Sequence, residues 1–125
     1  MILASRLALT SALVWFGFAN LLGLLMGLGV LPYTWRPAHA HLQLIGFVGL
    51  MIYGVSYHAL PRFRGVVFRR AGVALIQVVL ANLGLLGMAL AWGLAWSPTI
   101  WGVFAGVSTL AGLLYILLML EVLWV

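Results

Sequence analysis

Cysteine is absent from this chain, and acidic residues come down to a single one, Glu121. Without a thiol there are no disulfides, no thiolate metal sites and no thiolate-ligated haem. Charge of either sign is scarce: 6% of 125 residues, where a soluble domain carries about 25%. That is too little polar surface to face water. What fills the space is hydrophobic, 66% of the residues, at a mean hydropathy of +1.26. The composition reads as an integral membrane protein. At ~20–25 residues per span, the chain holds four helices with short loops and little else. No soluble domain is left to carry a separate activity, so any chemistry belongs inside the bundle or at its ends.

The expected fold class is all-α, an integral membrane four-helix bundle forming a single transmembrane domain over residues 1–125. The apolar runs and their breakers predict helices at about 7–31, 37–60, 70–96 and 98–124. Pro37 and Pro98 suit the first turn of a helix, where the missing N–H costs nothing. Pro61 is expected to close the second helix. The first apolar run, after Arg6, is too long for a signal-peptide core and reads as a retained span. Arg62, Arg64, Arg69 and Arg70 share one short loop, which the positive-inside rule places in the cytoplasm. Arg6 falls on the same side, so both termini are expected to be cytoplasmic. Tyr33, Trp35, Trp96 and Trp101 then form an outer aromatic belt, and Arg36 is the lone outer charge. The net charge of +5 therefore reads as membrane topology and not as a nucleic-acid surface.

Small residues recur at four-residue spacing: Ala19, Gly23 and Gly27 on the first helix, Gly102 and Gly106 on the fourth. Such faces let helix backbones approach closely, and helix packing is their plain reading. Polar groups in the apolar zone are Asn20, Gln43, Gln77, Asn82, Ser108, Thr109 and Glu121. Interhelical hydrogen bonds account for the amides. Glu121, near the cytoplasmic end, is expected to snorkel to the interface or to pair with an arginine of the loop.

All three histidines, His39, His41 and His58, sit on the second helix. Ionisable side chains in apolar helices are costly and mark function. At ~100° per residue, His39, Gly46, Leu50, Tyr53 and Tyr57 share a face. His41 points almost opposite, with Ile45, Val48, Ile52, Val55 and Ala59, a face suited to lipid or an oligomer contact. His58 takes a third side with Leu44, Phe47, Met51 and Gly54. It lies about 28 Å from His39 on a straight helix, so the two cannot share an ion. For His58, a hydrogen bond near the inner interface is the better reading.

Haem iron takes one or two axial ligands, commonly neutral imidazole or thioether. His39 as ligand, Arg36 as the partner of haem propionates and Gly46 as clearance for the ring form a coherent set. His41 is the second candidate. Met26 and Met88 are the thioethers near the same end, although methionine more often fills packing gaps. Against all of this stands the plainer reading of a histidine hydrogen-bonding near a helix start.

The segment Arg36-Pro37-Ala38-His39, followed by a glycine-rich apolar helix, resembles helix II of haem-copper oxidase subunit I. The cbb-type oxidases and the nitric oxide reductase large subunit are the nearest branches in style. His39-Ala40-His41, Gly46 and Tyr57-His58-Ala59-Leu60-Pro61-Arg62 look similar to small subunit-I-like membrane proteins. A looser resemblance is to NnrS-type proteins of the nitric oxide response. The likeness covers Arg36 to Arg62, and the other helices only in hydropathy. It implies a haem b held by the helix II histidine near the outer face of a bacterial or archaeal cytoplasmic membrane. The family's further histidines, for copper and the other haem, have no counterpart here, so an oxidase or reductase reaction by this chain alone is not expected.

Three functions follow as expectations. The first is a small membrane cytochrome, a homodimer or a subunit of a respiratory complex, that transfers electrons or binds NO or O₂. The second is a zinc or copper site built from His39 and His41 across a dimer interface, since imidazole suits both metals. The third is a cofactor-free accessory subunit that docks through its glycine faces.

Overall fold

A computed structural model describes residues 1–124. Among these residues the regular structure is entirely helical. Four helices are long and apolar enough to cross a membrane: α1 (Leu3–Gly27), α2 (Tyr33–Phe63), α3 (Ala71–Gly93) and α4 (Pro98–Trp124). α1 ends earlier than the hydropathy suggests. Gly29 takes φ +74° beyond its last turn, and the amides of Gly29 and Val30 bond back to Met26 and Leu25. α2 continues past Pro61, which lies buried within it instead of closing it. Gly65, at φ +65°, provides the stop. Its amide reaches the Arg62 carbonyl at 3.1 Å and that of Val66 reaches Pro61 at 2.9 Å, a Schellman cap.

α2 changes its winding along its length. A 3-10 turn (Tyr33–Trp35) leads into α-helix (Arg36–His41), then a π-helical stretch (Leu42–Gly49), then α-helix again (Leu50–Phe63). A π-helix bonds i to i+5 and turns less per residue. The buried positions accordingly fall every four residues, at Ala38, Leu42, Gly46, Leu50 and Gly54, before Tyr57 and Pro61. Val48, Ile52 and Val55 lie exposed on the outside of the bundle, as the wheel at 100° predicts. His41, placed on that same outer face by the wheel, is instead half-buried.

α3 is the central helix and carries the most buried residues. α4 packs along it, with backbones so close that a Cβ on Gly84 would meet the Ser108 amide nitrogen at 2.8 Å. α1 packs along α2 and touches α3, and α1 and α4 do not meet. α2 meets α4 only through its Leu50–Phe63 part. There Tyr115 Oη donates to Ser56 Oγ at 2.9 Å, and the Tyr53 and Tyr115 rings lie 4.5 Å apart. Beside them, Tyr57 Oη donates to Oε1 of the fully buried Gln77 at 2.8 Å, and Gln77 Nε2 donates to the Ala111 carbonyl at 3.1 Å. This knot ties α2, α3 and α4 together at the arginine-rich end. At that end, too, Glu121 pairs with Arg70, as its position suggests. Away from the knot, α2 and α4 diverge. Gly102 and Gly106 pack against nothing: a Cβ on either would find open space.

Candidate functional site

His39 and His41 leave α2 toward different neighbours. The His39 ring lies against α1, so that a Cβ on Gly23 would meet its Cε1 at 2.9 Å. Its Nδ1 is 2.7 Å from the Ala19 carbonyl oxygen. A carbonyl only accepts, so Nδ1 is the donor in this contact. The His41 ring turns the other way and meets the Trp92 indole of α3 edge to face, with centroids 4.4 Å apart and planes at 64°. Trp92 in turn lies 5.5 Å from Trp101 of α4. The two histidines therefore do not converge on one ion within a chain. Among the described residues no group of three or more His, Cys, Asp or Glu is arranged to hold a metal.

The divergence of α2 and α4 opens a cleft. His41, Ile45 and Tyr53 of α2 form one wall, Ala105, Ser108 and Thr109 of α4 the other, and Ala81 and Met88 of α3 the floor. It holds about 630 Å³ of empty space, part of it open to the surroundings. The Tyr53–Tyr115 contact lies at its lower end, and the His41–Trp92–Trp101 rings lie at the opposite end. Among the described residues no charged one lines it. Thr109 Oγ1 donates to the Ala105 carbonyl of its own helix at 2.9 Å, which leaves the hydroxyl oxygen able to accept.

Of the residues singled out in the sequence, His41 and Met88 come together at this cleft, and His39 is not among its lining residues. Gly46 is buried, but the space above it belongs to side chains: a Cβ there would meet Trp15 Cβ at 2.8 Å and Leu85 Cδ2 at 2.9 Å. It gives clearance to the α1 and α3 contacts, not to a planar ring. Arg36 is exposed at the start of α2, beyond the cleft. Met26 is buried on α1. His58 is half-buried one turn before Arg62. Sequence reasoning gives no role at this site to Trp92, Ser108 or Thr109, and it sets Tyr53 with Tyr57 on the His39 face as a wall for a planar ring, whereas Tyr53 lines the cleft with His41. The four-residue step from Met88 to Trp92, one turn of α3, was the available signal.

Comparison with protein-family models, curated proteins and solved structures finds no match to this chain.

Proposed function

We propose that the protein is a membrane-inserted haem b protein that binds a diatomic gas, with the haem in the cleft between α2 and α4 and His41 as its axial ligand. The observation that carries this is the imidazole of His41 on the wall of an uncharged cleft. The cleft is concave and largely apolar with a few polar groups, as small-molecule sites are. The donor set fits the group: a neutral imidazole for the iron, aliphatic and aromatic walls for the macrocycle. Bound there, haem supplies an iron able to take NO, O₂ or CO at an open position. His41 holds the group, and Trp92 keeps the imidazole in place. Met88 stands on the floor, on the helix that His41 itself packs against. The wall facing α2 offers only the hydroxyls of Ser108 and Thr109, which suit a polar bound gas better than a second axial ligand. A haem held by His41 alone would favour gas binding over electron transfer. Arg36, exposed at the start of α2 beyond the cleft, is the nearest cation in the sequence of that helix for propionates to reach. The resemblance of Arg36–Arg62 to helix II of haem-copper oxidase subunit I supports a haem at this end of the bundle. On the positive-inside rule this end is the outer face, and both termini are cytoplasmic.

The test is the absorption spectrum of the detergent-purified protein made with a haem supply. A stoichiometric Soret band that shifts when CO is added to the reduced protein is the expected result. His41→Ala should lose the band, and Met88→Leu should leave it unchanged. A colourless wild-type protein refutes the proposal. A reduced protein that ignores CO refutes the open position.

A further inference from the structure

On the side of the bundle away from the cleft, α1 presents a stripe that the chain itself does not cover. Leu13, Gly17, Asn20, Leu24 and Gly27 are all exposed and follow one another at steps of four, three, four and three. That is the repeat of a left-handed helix pair. A Cβ on Gly17 or Gly27 would find nothing within 4 Å. Small residues of this kind allow another helix to come close.

The stripe has polar groups at its centre. Asn20 is exposed, and it lies about 10 Å inside the end of α1 by helix rise. Its Nδ2 donates to the Phe16 carbonyl at 2.8 Å, and its Oδ1 accepts from Gln43 Nε2 of α2 at 3.3 Å. These two bonds engage two of the four amide N–H groups the pair carries. In hydrocarbon, an amide facing lipid finds no partner for what remains. An amide is both donor and acceptor, so a two-fold copy of the same pair offers each what it needs. An apolar partner would not, and the face carries no charge that would select an ionic one.

We infer that this face of α1, with Asn20 and Gln43 at its centre, is the interface of a parallel two-fold homodimer. All copies cross the membrane in the same direction, so α1 meets α1 residue against like residue. The stripe's small and polar positions then set the register, as a polar residue does in a coiled-coil seam. The dimer leaves the cleft between α2 and α4 free on each protomer, because α1 and α4 do not touch.

The chain has no cysteine, so a single introduced one reports proximity cleanly. Leu24→Cys, oxidised in native membrane vesicles, should give a covalent dimer of the chain, since a disulfide forms only at Cα separations of about 4.4–6.8 Å. Val103→Cys, on the exposed face of α4 beside Gly102, should stay monomeric. Adding Asn20→Leu or Gln43→Leu to Leu24→Cys should lower the dimer yield several-fold, while the monomer remains in the membrane. Dimer from Val103→Cys but not from Leu24→Cys would move the interface to the Gly102–Gly106 face and overturn the inference. So would a Leu24→Cys adduct to a different protein. Undiminished yield with both amides replaced would overturn their role. The cross-link is read without reference to haem, so its outcome is separate from that of the spectrum.

Discussion

Nδ1 of His39 and the carbonyl oxygen of Ala19 lie 2.7 Å apart, a contact that holds α1 against α2. The ring fills the space that Gly23 leaves open. His39→Ala should therefore keep the haem band and lower stability, by about 1–2 kcal/mol on the scale of interhelical polar contacts in membranes. Absorption and thermal unfolding of the same detergent sample read the two effects separately. Loss of the band in His39→Ala with retention in His41→Ala would transfer the ligand role to His39.

Trp92 should act on the haem site without touching the iron. Its edge-to-face contact with His41 is worth roughly 0.5–1.5 kcal/mol beyond burial. Trp92→Leu removes it and frees the imidazole to take other rotamers. Haem titration of the variant should show affinity weakened up to about tenfold, which is the upper end of that energy. On the proposed ligation by His41, the position of the CO-bound Soret band should not move. A variant that binds haem as tightly as wild type would remove Trp92 from the site.

The helix count, and the ends of α4 at Pro98 and Trp124, were legible from hydropathy and proline. So was the pairing of Glu121, because a lone carboxylate near four arginines has few alternatives. That Tyr53 joins His41 and Ile45 on one wall was not. A wheel at 100° per residue assumes uniform winding, and the π-helical stretch at Leu42–Gly49 breaks that assumption next to the histidines. The role of Gly46 failed for another reason: periodicity shows that a position is small and inward, not which neighbour fills the space. The cleft itself depends on α2 and α4 diverging beyond the Tyr53–Tyr115 contact, a property of packing that no single helix carries. Pro61 misled because its effect on a helix lies in the preceding turn, whereas Gly65 sets the end.

The knot at the arginine-rich end ties α2, α3 and α4 together through side-chain hydrogen bonds. Tyr57→Phe takes the donor from Gln77 Oε1, an acceptor buried with no exposure at all. Polar contacts of this kind in membrane bundles average about 0.6 kcal/mol and reach about 1.7. Burial places this one toward the upper value, so a loss of about 1–2 kcal/mol is expected in a reversible unfolding titration. Gln77→Leu should cost as much or more, because it also frees the Ala111 carbonyl. The double variant should cost less than the sum, since the second change removes the partner left unsatisfied by the first. Strict additivity would show that the two side chains do not share a bond.

Ala95 closes α3 in a conformation that alanine adopts poorly. Its φ of 54° is the one positive value outside glycine among the described residues. The cap is the same as those after α1 and α2: the Ala95 amide bonds to the Trp92 carbonyl at 3.3 Å and that of Trp96 to Ala91 at 2.9 Å. In those two caps the left-handed position is Gly29 or Gly65. A Cβ in the left-handed region costs roughly 1–2 kcal/mol, which glycine avoids. Part of that gain is lost to the larger backbone freedom of glycine in the unfolded chain, roughly 0.5–1 kcal/mol. Ala95→Gly should then stabilise the bundle by up to about 1 kcal/mol and raise its unfolding temperature. Ala95→Val should do the reverse, because branching at Cβ worsens the same clash. If Ala95→Gly lowers the unfolding temperature, the strain assigned to this cap is not there.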